Sequence, residues 1–278
     1  MKSLSRMNAA ASDETRARSE AGDGAPWWKR RLTESRLRSR LRAHPRTQGR
    51  ILAPTGMFRR LPATAGLYFP FYHDVLPHYA DDLRHHLLTF RQIGPMVSWD
   101  EALAVLDGRR ELAGPVFCLS FDDGHPTWRD VVLPILHELG VPATFFLTAD
   151  TLGRQGGDLT WQDCRDITSA GFAFGSHTIS HRRLSDLDDG GAAREIYGSK
   201  AEIEDRLGVE VRDFAAPYGR PGVDFLDRDV RLAREAGYRS FATTLRSPMR
   251  IGDSPMWIQR QGLHPAWPMW AVRTRVHD

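Results

Sequence analysis

Val116-Phe117-Cys118-Leu119-Ser120-Phe121-Asp122-Asp123-Gly124 is an apolar run that ends in two carboxylates and a glycine. Such a run, bounded by turn residues, predicts a strand buried on both faces, as in a parallel sheet. Asp and Gly are also ordinary turn residues, so the Asp-Asp-Gly alone could be no more than the turn that ends the strand. A second stretch shifts the balance: Phe172 to Gly175 leads in the same way into His177-Thr178-Ile179-Ser180-His181. A helical His-x-x-x-His would present both rings on one face, although paired histidines are also common at surfaces and caps. Parallel strands bring their C-terminal ends to one rim, so the carboxylates and imidazoles are expected to meet there. One carboxylate oxygen and two imidazole nitrogens make an open-site set for Zn²⁺ or a similar divalent ion. The remaining carboxylate is free to deprotonate a water.

The surrounding pattern extends this strand into a barrel. Gly66 to Phe71 reads as a first strand. Helices follow at Asp82 to Ile93 and at Ser98 to Leu106, with Ser98 as N-cap. Thr127 to Leu139 has a helical period that Pro134 should kink and Gly140 should end. Val141 to Leu147, Phe172, Asp213 to Ala216 and Tyr238 to Thr244 read as strands. Thr160 to Ser169, Ala192 to Leu207 and Leu226 to Ala236 read as helices. Strands alternating with helices imply an α/β barrel, and 278 residues are enough for one such core without a second domain.

Composition limits the setting. No apolar run approaches membrane-spanning length, and the first thirty residues lack the apolar core of a secretory signal, so a cytoplasmic protein is expected. Cys118 and Cys164 are not spaced as a metal or redox pair and are expected to be core thiols. The whole chain carries +3, yet residues 27–50 carry nine Lys or Arg against Glu34 alone, a local charge of +8. Residues 1–50 are therefore expected to be a basic, largely disordered arm, 51–65 a linker and 66–278 the barrel. Trp28, Leu32, Leu37 and Leu41 approximate one helical face. Residues 27–50 accordingly suit either a solvated tail or a helix lying on an anionic membrane surface at its inner face. No reader motif accompanies the charge, and no nucleic acid is expected as partner.

These ordered motifs resemble the NodB-homology polysaccharide deacetylases, carbohydrate esterase family 4. The resemblance spans residues 66–262 through Tyr72-His73, Ser120 to Gly124, Leu133 to Leu136 with Val141 to Phe146, His177 to His181, and Phe214-Ala215-Ala216-Pro217-Tyr218-Gly219. It implies a distorted (β/α)7 barrel that hydrolyses N-acetyl groups from sugars, with Asp122 as catalytic base and Asp123, His177 and His181 holding one divalent metal. Zn is the first expectation, with Co or Ni as alternatives. The resemblance further implies that the backbone N–H of Tyr218 receives the oxyanion, that Pro217 and Tyr218 line the substrate site, and that Trp161 is a groove aromatic. Pro217 to Gly219 would otherwise be an ordinary turn, and Trp161 a core residue of its helix.

Three departures mark this chain. Ala215 stands where many members have an Arg that orients the catalytic Asp, so the base must be held differently. Gln162 stands where that Arg would have an acidic partner. The family's final Leu-x-His, source of a general acid, has only the displaced Gly262-Leu263-His264, which leaves His264 and the adjacent His125 as alternative proton donors. His125 would otherwise be a loop histidine. The expected substrate is an N-acetylhexosamine-containing glycan or glycolipid precursor. The alternatives are another small linear or cyclic amide, or a carbohydrate-binding homologue whose catalysis has decayed.

Overall fold

The computed structural model describes residues 64–153 and 159–277. The basic arm, its expected membrane-surface role and nearly all of the 51–65 linker lie outside the described residues. In chain order the elements are β1 (Gly66–Tyr72), α1 (Ala80–Ile93), β2 (Met96–Val97), α2 (Trp99–Leu106), β3 (Pro115–Asp123), α3 (Leu133–Leu139) and β4 (Ala143–Leu147). Then come α4 (Trp161–Ser169), β5 (Ala173–Ser176), α5 (Asp189–Leu207), β6 (Asp213–Ala215), α6 (Asp227–Glu235), β7 (Ser240–Thr243), β8 (Ile258–Gly262) and α7 (Met269–His277).

Every strand pairing is parallel, and the order β1-β8-β7-β6-β5-β4-β3 is closed by a β1–β3 ladder, with β2 added on β3. This is the expected α/β architecture, a distorted seven-stranded (β/α)7 barrel. Its distortion is visible in strand lengths that run from three residues in β6 to nine in β3. Closure buries both faces of the strands, which is why β1 and β4 are buried at every position and read as continuous apolar runs. Pro70 has no N–H, and the β1–β3 register passes over Phe69 and Pro70. The Phe69 N–H donates instead to Gln261 Oε1 of β8 at 2.8 Å.

An apolar cluster fills the N-terminal half of the barrel, joining Leu67, Phe69, Val116, Cys118, Phe146 and Ile258 to Trp99 of α2. The Trp99 indole stands edge-on to Phe69 and Phe146, and its N–H donates to Ser240 Oγ at the start of β7, so it closes that end of the barrel. Both cysteines are free and buried, as expected of core thiols. Among the described residues no helix is long and apolar enough to cross a membrane.

Some elements depart from the sequence reading. The expected helix Thr127 to Leu139 begins as a wide π-type turn over Trp128–Val132 and becomes α-helical only at Leu133. Pro134 cannot donate to the carbonyl four residues back, and its ring would crowd that carbonyl, so the preceding turn opens. Helix α5 starts three residues early, at Asp189, although Gly190 and Gly191 resemble a loop. Asp188 caps it by accepting the Gly191 N–H at 2.7 Å, and a Cβ at residue 191 would meet that same carboxylate at 2.9 Å. Strand β8 and helix α7 were not expected at all.

Ser98 caps α2 through a reciprocal box, with Ser98 Oγ accepting from the Glu101 N–H and the Glu101 carboxylate accepting from the Ser98 N–H. The Ser98 amide, and then Arg110, hold the Glu101 carboxyl below its ordinary value. The box therefore contributes fully above the ordinary glutamate range and loses its contribution as pH falls through the lowered value. Ser98→Ala should cost about 1 kcal/mol of unfolding free energy at neutral pH. Urea titrations at neutral and acid pH test this, since the difference from the parent chain should shrink on acidification.

Candidate active site

The C-terminal ends of the strands carry the chemistry. Asp122 and Asp123 end β3, His177 follows β5 directly, and Tyr218 lies three residues beyond β6. Asp123 is followed by Gly124, and the two have φ of 89° and 101°. The turn reading and the site reading of Asp-Asp-Gly therefore coincide: the reversal swings the Asp123 carboxylate back over the barrel mouth. The residues after β4 fasten both loops. Thr148 N–H and Thr151 Oγ1 donate to the Asp123 carbonyl, while Ala149 and Asp150 N–H donate to the carbonyls of Thr178 and Ile179.

His177 to His181 is not helical. Thr178 and His181 have φ of 68° and 58°, and the His181 N–H donates to Thr178 Oγ1. Glu195 of α5 reaches this loop from outside, accepting from the Ile179 and Ser180 N–H groups at 2.9 Å each and from the Ser180 hydroxyl. So folded, the loop brings the two imidazole centroids to 4.9 Å. His177 Nδ1 lies 2.8 Å from the Ala215 carbonyl, which can only accept, so Nδ1 carries the proton and Nε2 presents a lone pair. Burial lowers the His177 pKa, consistent with a neutral ring.

His177 Nε2 and His181 Nε2 stand 3.5 and 3.3 Å from Asp123 Oδ1. That oxygen is the one buried side-chain N or O among the described residues without a hydrogen-bond partner. The separations are those of neighbouring corners in a tetrahedron with bonds of about 2.1 Å, where edges are about 3.4 Å. All three ligand atoms lie within 4.8 Å of one another. The orphaned oxygen, the presented Nε2 and the N₂O donor set fit a divalent ion of the zinc, cobalt or nickel type. Burial works against the Asp123 charge, yet His125 and His181, and then the charges of His177 and His73, hold its carboxyl well below the usual carboxylate range.

Asp122 is held by a residue that the sequence reading missed. Arg260 of β8, fully buried, donates through Nη1 and Nη2 to Oδ1 and Oδ2 of Asp122 at 2.7 and 2.8 Å. Its guanidinium lies 4.3 Å from the Phe71 ring centroid and 5.2 Å from that of Phe146. The anchor absent at Ala215, a buried strand residue, is thus supplied from another strand. The sequence signal was slight, a lone Arg in the polar run Ile258-Gln259-Arg260-Gln261-Gly262.

Tyr218 is half exposed with φ of 61°, its ring 5.0 Å from that of His181 and beneath the Arg183 guanidinium. Its N–H donates to no group among the described residues. Gly219 allows this turn: a Cβ there would meet Thr244 atoms at 2.7 and 2.8 Å. Pro217 accepts the Gly219 N–H in the same tight turn. His125 places Nε2 3.4 Å from Asp123 Oδ2, so it belongs to the cluster.

Two expected residues are not brought into this cluster. His264 lies edge-on to Tyr79, its Nδ1 accepting from the Ala266 N–H. Trp161 opens α4 with its ring beneath the Arg206 guanidinium of α5. Neither makes a contact with the Asp-His-His set among the described residues. Gln162 bonds Asp166 and Arg165 on its own helix.

A closed parallel barrel with a metal-fitting Asp-His-His set at its C-terminal rim defines a class, and comparison with known proteins shows what the chain is similar to. The polysaccharide deacetylase family model matches residues 109–241. IcaB from Ammonifex degensii superposes with a TM-score of 0.67 at 27% identity, over 77% of this chain and 98% of that one. A chitooligosaccharide deacetylase of Rhizobium leguminosarum bv. phaseoli is 34% identical over 91 residues, 32% of this chain and 38% of the relative. A chitin deacetylase of Pestalotiopsis sp is 31% identical over 109 residues, 37% of this chain and 34% of the relative. The chain spans half or less of the length of these curated relatives. Over residues 109–241 in sequence, and in its fold, the chain is similar to polysaccharide deacetylases.

Two outcomes test this geometry. Arg260→Met would leave the Asp122 carboxylate buried without its partner, a loss of about 3–5 kcal/mol in unfolding free energy. Denaturant unfolding should then show Asp122→Asn combined with Arg260→Met recovering part of that loss; no recovery would mean that Arg260 acts through its apolar packing instead. Glu195→Ala frees the His177 to His181 loop and should weaken zinc affinity by about 10–100-fold. Competition with a chromophoric chelator measures this, and an unchanged affinity would remove Glu195 from the site.

Proposed function

We propose that the chain is a metal-dependent N-deacetylase, hydrolysing the acetamide C–N bond of an N-acetylhexosamine unit in a glycan or glycolipid precursor. The observation that carries the reading is the convergence of Asp123, His177 and His181 on one point, beside a carboxylate, Asp122, clamped by Arg260. A divalent ion held by those three residues supplies Lewis-acid polarisation of the amide carbonyl and lowers the pKa of a water; zinc suits the set best, with cobalt or nickel as alternatives.

The remaining work falls to the chain itself. Asp122 accepts the proton of the attacking water. A carboxylate offers about four lone-pair positions and the Arg260 fork takes one on each oxygen, so acceptor capacity remains while the plane of the group is fixed. The Tyr218 N–H, on a left-handed backbone position and without an acceptor among the described residues, donates to the oxygen that becomes an oxyanion. The Ala215 carbonyl keeps His177 in the tautomer that leaves Nε2 unprotonated. Of the two histidines expected to protonate the departing amine, His125 lies within the cluster and His264 is turned toward Tyr79. We therefore assign that step to His125. The products are acetate and a free amino sugar.

The test is acetate release from N-acetylglucosamine oligomers by the metal-supplemented chain, with and without chelator. His177→Ala should lose metal uptake and acetate release together. Asp122→Asn should keep the metal while slowing release by roughly 10²–10⁴-fold, the usual share of a general base. Metal loss in the Asp122→Asn variant would make Asp122 a ligand and overturn the assignment. Metal uptake without acetate release from any N-acetylated sugar would favour a different amide as substrate.

A further inference from the structure

Helix α7 and the segment after β7 enclose a cleft that the deacetylase reading leaves unused. It is an open cavity of about 370 Å³ lined by Arg246, Trp267, Trp270, Ala271, Thr274 and Arg275. Small-molecule sites commonly measure roughly 300–1,000 Å³. What distinguishes the cleft is its charge. Neither Arg246 nor Arg275 has an acidic partner among the described residues. Arg275 donates through Nε to the Gly262 carbonyl and lies over the Trp267 ring at 5.7 Å, and neither contact neutralises a cation. Burial, and then the Arg246 charge, push the Arg275 guanidinium below its ordinary value, as expected when two like charges share a site.

The cavity at the opposite end of the barrel is a useful contrast. It too is lined by two arginines, Arg212 and Arg239, but these are paired with Asp100 and Asp213, so they hold the fold together. Two guanidiniums without an acidic partner among the described residues, on α7 and its neighbour, call for an anion. A single carboxylate brings one negative charge, whereas a phosphate monoester brings about −1.5 to −2 near neutral pH and presents oxygens that fit guanidinium forks. Beside the pair, Trp270 is 66% exposed. A flat aromatic surface of this kind suits the C–H face of a sugar ring.

We infer that the cleft between α7 and the segment after β7 binds a phosphate-bearing saccharide, the phosphate on Arg246 and Arg275 and the sugar ring against Trp270. The saccharide half rests on the deacetylase reading; the phosphate half rests on the uncompensated arginines alone. Such a site would hold a substrate or product whose sugar carries a phosphate, whether free or as the headgroup of a lipid.

The experiment is calorimetric titration of the full chain with N-acetylglucosamine 1-phosphate, N-acetylglucosamine and inorganic phosphate, repeated with Arg246→Gln and Trp270→Ala. Both residues are exposed, so both variants should fold. N-acetylglucosamine 1-phosphate should bind more tightly than either half. Arg246→Gln should weaken it by about tenfold or more. Trp270→Ala should weaken the sugar phosphate while leaving inorganic phosphate unchanged. The readout is binding, so a chain that released no acetate would leave this result intact. Equal binding of the charged and uncharged sugars, or binding indifferent to both substitutions, overturns the inference. Phosphatidylglycerol vesicles separate the two sources: Arg246-dependent adsorption to vesicles without any binding of the sugar phosphate would assign the arginines to a lipid headgroup and overturn the saccharide assignment.

Discussion

An ion pair buried inside the barrel sets the terms for the rest of the structure. Asp122 and Arg260 belong to strands that are not neighbours, since β1 lies between β3 and β8, so their contact spans the interior. Withdrawing two charges from water costs several kcal/mol for each ion, and only good geometry with further hydrogen bonds offsets it. The surroundings meet that demand. Both carboxylate oxygens take a guanidinium N–H, Arg260 Nη1 and Nε lie 3.4 Å from Ser120 Oγ and the Thr243 carbonyl, and Phe71 and Phe146 pack about the guanidinium. The gain from such a pair is orientation more than stability. A carboxylate held by a two-pronged fork cannot rotate, and a base that must meet one proton gains most from that restraint.

From this fixed point the site is built outward at the expense of backbone comfort. Among the described residues, the non-glycine positions with positive φ are Asp123, Thr178, His181 and Tyr218. Each such residue costs on the order of 1–3 kcal/mol and persists only where its surroundings over-determine it. Here they do: the residues after β4 bond to both loops, Glu195 grips the histidine loop from α5, and Thr244 Oγ1 bonds the Tyr218 carbonyl. Strain is confined to the rim, while the apolar cluster below it sits in unstrained strands.

What the sequence revealed follows the same division. Continuous apolar runs are legible because a closed parallel barrel buries both faces, so β1, β3 and β4 stood out. Asp123, His177 and His181 were legible because their chemistry is concentrated in two short stretches. Arg260 was not, because it pairs with Asp122 across the barrel from a strand whose Gln259, Arg260 and Gln261 look like a surface loop. Only the closure of the ring turns those positions inward, and no local pattern encodes closure. Gln261 is polar for the same kind of reason, bridging the Phe69 N–H beside Pro70 to the carbonyls of Arg246 and Ser247. Trp161 and His264 were expected at the site from the family resemblance; one lies against Arg206 and the other against Tyr79.

Pairing of polar groups then separates structure from chemistry throughout the described residues. Buried polar atoms are satisfied wherever the fold alone decides, because an unpaired one forfeits its full desolvation cost. Asp213 illustrates the rule, bonded to Arg239 and Ser240 at the base of the barrel. Tyr72 and His86 do so as well: the Tyr72 hydroxyl lies 3.0 Å from His86 Nδ1, and His86 Nε2 must donate to the Trp267 carbonyl, which ties the approach to α7 to α1, while burial lowers the His86 pKa. Asp123 Oδ1 breaks the rule: it has no hydrogen-bond partner, although His177 Nε2, which presents a lone pair, and His181 Nε2 lie 3.5 and 3.3 Å from it. A fold that leaves a carboxylate oxygen unpartnered beside an imidazole lone pair gains from a cation placed between them. That feature, more than any one motif, marks the rim of this barrel as the candidate site.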